Sequence, residues 1–91
     1  MKLIATRKFS KKYSKIFKKQ PDLISKIEKT LQKISTNPFD ESLGTHKLKG
    51  NLSGLYASKV TDDIRIIFDF VQEENELCIL LLTFGSHDDV Y

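Results

Sequence analysis

The hydrophobic rhythm of the chain changes near its middle. Between Arg7 and Lys19, Phe9, Tyr13, Ile16 and Phe17 repeat at i, i+4, i+7 and i+8. That spacing puts the four on one face of a helix and leaves the lysines between them in water. Gln20-Pro21-Asp22 interrupts the pattern, and Pro21 with Asp22 suits the first turn of a second helix. Leu23, Ile24, Ile27, Leu31 and Ile34 form the apolar stripe of that helix, and Asn37-Pro38 ends it. The two helices thus make a hairpin with a short connection, each with an apolar face that needs cover. Met1 to Ala5, ahead of them, reads as a short strand.

Phe39 to Gly54 is rich in turn formers and reads as a loop. From Leu55 the period becomes two. Leu55 to Thr61 is one strand, Thr61-Asp62-Asp63 a tight turn, and Ile64 to Val71 a second strand. Ile64, Ile66, Phe68 and Phe70 share one face of it, with Arg65 on the other. After a turn at Gln72–Asn75, Glu76 to Phe84 is a third strand, so continuously apolar that burial on both faces, and a central place, is expected. These elements define an α+β domain spanning residues 1–91. A short N-terminal strand and a two-helix hairpin pack on a small, mostly antiparallel sheet, in the order β-α-α-β-β-β.

Ninety-one residues suffice for one hydrophobic core without staples. Cys78, the single cysteine, lies in Leu77-Cys78-Ile79-Leu80 and is expected as a buried, inert thiol. The run Met1–Ala5 gives way at once to charge, unlike a signal peptide, and Leu77–Leu82 is too short to span a bilayer. A cytoplasmic protein with no membrane partner is the expectation. Charge changes the picture more. Residues 1–37 hold eleven bases against two acids, or +9, and residues 38–91 four bases against ten acids, or −6, which together give the net +3. So uneven a division points the lysine-rich helices at a polyanion, with nucleic acid favoured over mere solubility.

Chemistry is confined to the second half. His46 and His87 are far apart, there is no CxxC, no glycine-rich loop follows a strand, and no nucleophile-elbow pattern is present. No metal or small-molecule cofactor is therefore expected. What remains is a set of polar groups at strand ends. In a meander, Lys59, Arg65 and the Phe84–Tyr91 tail converge on the uncovered face of the sheet, and His46 reaches that face from the loop.

Four segments in order carry a family resemblance: His46-Lys47-Leu48-Lys49-Gly50, Tyr56-Ala57-Ser58-Lys59-Val60, Asp63-Ile64-Arg65-Ile66-Ile67-Phe68, and Gly85-Ser86-His87-Asp88-Asp89-Val90-Tyr91. With the helix hairpin ahead of them they resemble, over essentially the whole chain, the RelE/ParE superfamily of bacterial type II toxins. The similarity is greatest to the RelE/YafQ-type mRNA interferases. The resemblance implies a ribosome-dependent endoribonuclease that cleaves mRNA by attack of a ribose 2′-OH on the adjacent phosphate, restrained by a cognate antitoxin. Its catalytic set carries over to His46, Lys59, Asp63, Arg65 and His87. His87 is then the general acid, Asp63 or His46 the base, and Lys59 and Arg65 the holders of the phosphate. Lys47 and Lys49, with Phe84 or Tyr91 as stacking groups, are the implied RNA contacts. The chain departs from the family pattern at Ile64, where YafQ-like members can carry tryptophan, and at Lys59, which replaces a histidine. A ParE-type toxin that poisons DNA gyrase shares this fold, as does an inactive member that only binds its antitoxin.

Overall fold

The apolar helix faces and the alternating strands meet across one five-stranded sheet in the computed structural model, which describes all residues, 1–91. Strand β1 (Lys2–Ala5) leads into helices α1 (Arg7–Ile16) and α2 (Pro21–Thr36). Strands β2 (His46–Lys47), β3 (Tyr56–Lys59), β4 (Arg65–Glu73) and β5 (Glu76–Gly85) follow, and a single-turn helix, α3 (His87–Val90), ends the fold. The sheet order is β1-β5-β4-β3-β2, with β1 parallel to β5 and every other pair antiparallel. The α+β class and the helix pair on a mostly antiparallel sheet are as expected. No helix is long and apolar enough to cross a membrane.

Both helices start and stop for local reasons. The Thr6 hydroxyl accepts from Phe9 N at 3.2 Å and caps α1, supplying an acceptor that the first-turn N–H groups lack within the helix. The helix ends at Ile16, three residues before the sequence pattern does. Gln20 precedes a proline and takes φ −135°, ψ 67°, because the helical region is closed to it. Phe17 is consequently left 53% exposed rather than joining the apolar stripe. Pro21 opens α2, whose Ile24, Ile27, Thr30 and Ile34 are buried.

The principal core lies between the helices and the sheet. Phe9, Ile27, Ile34 and Leu43 meet Ile66, Phe68, Ile79, Leu81 and Phe84 there. Strict alternation along β5 cannot send both Leu81 and Phe84 to the helices, since they are three residues apart. A bulge resolves this: Ile67 pairs with Thr83 and Phe68 with Leu81, so Leu82 is the extra residue. The Thr6 hydroxyl donates to the Leu82 carbonyl at 3.1 Å, and Thr6 N donates to Leu81 O at 3.0 Å. Cys78 is buried as expected. Leu77 is not: the β4–β5 hairpin extends past β1 and β3 there and leaves it 48% exposed.

The face of the sheet away from the helices is partly covered, contrary to the sequence reading. Leu48, Ala57 and Ile67 form a second small core there with Leu52, Leu55, Leu82 and Val90. The segment read as a loop holds two single turns, at Glu41–Leu43 and Gly50–Leu52, and the edge strand β2. Elements of two to four residues are too short to show a period.

Gly85 joins β5 to α3 at φ +154°, and a Cβ there would lie 2.7 Å from Asp89 Cβ and 2.7 Å from Lys12 Nζ. The lysine can swing away; Asp89 cannot without moving α3. Gly85→Ala is expected to lower the unfolding free energy by about 1–3 kcal/mol in a urea titration. The α3 resonances should become those of a detached tail.

Candidate active site

Three local structures bring polar groups to the open end of the face away from the helices. The first is the β3–β4 turn. Val60 N and Thr61 N both donate to Ile64 O, at 2.9 and 3.2 Å. The Thr61 hydroxyl accepts from Asp63 N at 3.3 Å and Ile64 N at 3.0 Å. Arg65 closes the turn from above, its Nη1 donating to Thr61 O at 2.8 Å and to Asp62 O at 3.1 Å. The guanidinium pairs with neither Asp69 nor Glu76. With Nη1 tied to carbonyls, the edge formed by Nε and Nη2 stays available for a bidentate anion.

The second is the end of β5, where Gly85 stands opposite Arg65. The third is the tail. Asp89 Oδ2 accepts from Ser86 N at 3.1 Å and from Ser86 Oγ at 3.0 Å, a capping box that holds one turn of helix. The backbone N–H of Ser86, then its hydroxyl, keeps the Asp89 carboxyl below the usual carboxylate range. That turn projects His87 into solvent, its side chain 81% exposed, with its ring 4.5 Å from that of Tyr91 and tilted by 50°.

Together these form a cleft of about 230 Å³ lined by Asp62, Asp63, Arg65, Ser86, His87, Asp88 and Tyr91. Four of the expected residues, Asp63, Arg65, His87 and Tyr91, thus converge. The Asp63 carboxylate has no ion pair or hydrogen bond of its own and is exposed. The cleft holds a guanidinium, an imidazole and a free carboxylate. Proton transfer beside a phosphate needs these groups.

Other expected residues lie elsewhere. His46 pairs with Ala57, which pairs with Ile67 and so with Thr83. Register therefore sets His46 on the correct face but one row from Lys59, Arg65 and Gly85, about 7 Å along the strands. It does not line the cleft, and its Nδ1 lies 3.1 Å from Gly44 O. Lys59 turns to Asp62, with Nζ 2.9 Å from Oδ1, and this contact holds the Asp62 carboxyl below its ordinary range. Lys47 and Lys49 are exposed and also lie outside the cleft. Phe84 needs correction outright. It is 2% exposed, its ring edge-on to Phe9 at 5.2 Å and under Lys12 Nζ at 5.1 Å, so it cannot stack on a base.

Thr61, Ser86 and Asp89 were not among the expected residues, although they set the site. Ser86-x-x-Asp89 is a readable capping-box spacing; nothing in the sequence marks Thr61. No group of three His, Cys, Asp or Glu side chains converges in a way that would hold a metal ion.

A helix pair on one face of the sheet and a histidine-bearing cleft at the end of the other define a RelE-like toxin fold. The fold of the YoeB/ParE toxin from Agrobacterium tumefaciens matches with a TM-score of 0.81 at 18% identity, over 96% of this chain and 99% of that one. YafQ from E. coli matches with a TM-score of 0.78 at 16% identity, over 98% and 96%. The E. coli DinJ–YafQ complex gives 0.75 at 18% identity, over the same shares. No curated protein matches at the level of sequence. The family described as "Bacterial toxin of type II toxin-antitoxin system, YafQ" matches residues 1–91, and the chain belongs to it.

Two outcomes follow from the supports of the cleft. A carboxyl with a depressed pKa stabilises above its ordinary range and stops doing so as pH falls through its folded value. Because that is the sense of the Asp89 shift, the tail turn should be intact at neutral pH and loosen below about pH 4. The Ser86 amide, followed by NMR against pH, should report this in the wild type and show no such transition in Asp89→Asn. Thr61→Val removes the acceptor of two backbone N–H groups and should cost about 1–3 kcal/mol, with faster amide exchange at Ile64. Thr61→Ser should recover most of both.

Proposed function

We propose that this toxin cleaves mRNA on the ribosome. Support comes chiefly from one observation: Asp63, Arg65 and His87 line a single cleft of about 230 Å³. In this reading the Asp63 carboxylate takes the proton of a ribose 2′-OH, and the freed oxygen bonds to the adjacent phosphorus. The bond from phosphorus to the 5′ oxygen breaks, and His87 in its protonated form gives that oxygen a proton. The products are a 2′,3′-cyclic phosphate and a 5′-hydroxyl. Arg65 meets the phosphorane charge with its Nε and Nη2 edge. Asp63 is preferred to His46 as the base because Asp63 lines the cleft and His46 does not. Tyr91, 48% exposed and beside His87, is the aromatic surface on which a base can stack.

Restraint by a cognate antitoxin belongs to the same reading. The E. coli YafQ of similar fold has been seen in complex with DinJ. An antitoxin with an acidic, partly disordered segment would complement the basic residues of α1.

Primer extension on a reporter mRNA during brief induction tests the nuclease. Wild type should give cuts in phase with codons that require translation. His87→Ala should reduce them by about 10²–10⁴-fold, the usual share of an acid–base group, while keeping the wild-type melting curve. Growth arrest with intact mRNA, unaltered by the substitution, would sink the nuclease reading and turn attention to gyrase.

A further inference from the structure

The cleft that holds the cleavage groups is poorly charged for gripping a polyanion. Asp62, Asp63 and Asp88 line it against one permanent cation, Arg65. Attraction for phosphate has to come from outside it.

A second cleft, of about 240 Å³, lies between α2, the Glu41–Leu43 turn and the end of β3. Four lysines line it: Lys26, Lys29 and Lys33, and Lys59 at its edge, which shares its charge with Asp62 at 2.9 Å. The first three fall at i, i+3 and i+7 on the exposed face of α2, a placement whose mutual repulsion weakens the helix. Within the helix only Asp22, one turn before Lys26, offsets it. No carboxylate lies within 4 Å of Lys26, Lys29 or Lys33, and Lys33 donates only to Ser42 Oγ at 3.1 Å. Asp40, the acid that feels Lys33, is turned onto Ser42. A shallow depression links the two clefts, sharing Asp63 with the first and Lys26 with the second, and it adds Lys19 and Asp22.

The floor of the lysine cleft favours one kind of ligand. Of its eight lining residues only Leu43 and Val60 are apolar, and Leu43 is 2% exposed. An amphipathic helix from a protein partner needs apolar anchor sites at helical spacing, and there are none here. Successive phosphates need only point charges along a line, and Lys26 to Lys33 spans about 10 Å of helix.

We propose that Lys26, Lys29, Lys33 and Lys59 form a phosphate track that carries the single RNA strand running from the scissile position over the 60–63 turn. The course of the strand rests on the nuclease reading above; the binding of phosphates does not. Specificity of cutting then belongs to the cleavage cleft, and affinity to a separate surface on α2.

The test uses a short fluorescent 2′-O-methyl RNA strand, which lacks the attacking hydroxyl and stays whole whatever the cleft does. Its anisotropy is titrated with wild type and with the triple variant Lys26→Gln, Lys29→Gln, Lys33→Gln. Glutamine keeps helix propensity at these exposed positions, and a melting curve checks the fold. The triple variant should bind at least about tenfold more weakly at low salt, and the slope of log K against log salt should fall by about 2, at ~0.7 per phosphate contact. Unchanged affinity and slope would overturn the track. So would a variant that keeps RNA binding but loses binding to a polyglutamate peptide, which would give the cleft to an acidic protein. If wild type arrests growth with mRNA left intact while the triple variant loses the oligonucleotide, the nuclease reading fails and the track stands.

Discussion

Strand β5 is under the constraint that shapes the rest of the molecule. It must lay apolar side chains under both helices along its length and then deliver the chain to the opposite face beside Arg65. The extra residue at Leu82 resets its phase once. Leu81 and Phe84 then both enter the main core, Leu82 enters the second core with Ile67 and Val90, and Gly85 comes opposite Arg65. Without the bulge, Phe84 would leave the core and the tail would start on the wrong side of the sheet. The Thr6 hydroxyl accepts the first-turn N–H of α1 and donates to the bulged carbonyl. One side chain therefore ties the entry of the helix hairpin to the shape of the strand beneath it.

What the sequence revealed and what it concealed divide along physical lines. Helices α1 and α2 and strands β3 to β5 are long enough to display a period, and the sequence reading found all five. The bulge is invisible because Leu77–Leu82 is apolar throughout, so there is no alternation for a phase shift to break. Phe84 was misplaced for that reason: beside Gly85 and a polar tail it looks like the exposed end of a strand, whereas the bulge turns it inward. His46 illustrates a different limit. The sheet does place it on the face of Arg65, but a two-residue edge strand fixes it a row away. A shared face is legible from parity; a shared cleft depends on register, which two residues of β2 do not announce.

Charge is organised by distance rather than by pairing. The lysine-rich half of the chain makes the helices, and the acid-rich half makes the sheet and tail. Only Lys2–Glu73 and Lys59–Asp62 bring lysine and carboxylate within salt-bridge reach, both at the surface, where such pairs contribute little to stability. The separation therefore serves something other than folding. In the proposed reading, an acid-rich cleft next to a basic helix face has a polyanion lie across both, with its phosphates toward the lysines and one sugar–phosphate unit at Arg65.

The β3–β4 turn is where that arrangement acquires precision. Asp63 lies in the turn and Arg65 two residues on, at the start of β4, and neither is buried. Their relative position comes from Thr61, whose hydroxyl holds the N–H groups of Asp63 and Ile64 while its carbonyl holds Arg65 Nη1. A guanidinium fixed this way gives up donors to carbonyls that bear only partial charge, so it loses little of its charge for a phosphate and most of its rotational freedom before the phosphate arrives. The tail is built on the same logic. His87 makes no side-chain hydrogen bond, but the Ser86–Asp89 capping box and Gly85 fix the backbone from which it projects. The groups proposed to react stay at the surface, and rigidity is supplied by their neighbours. That distribution allows a small domain with a single modest core to hold a reactive geometry on its surface.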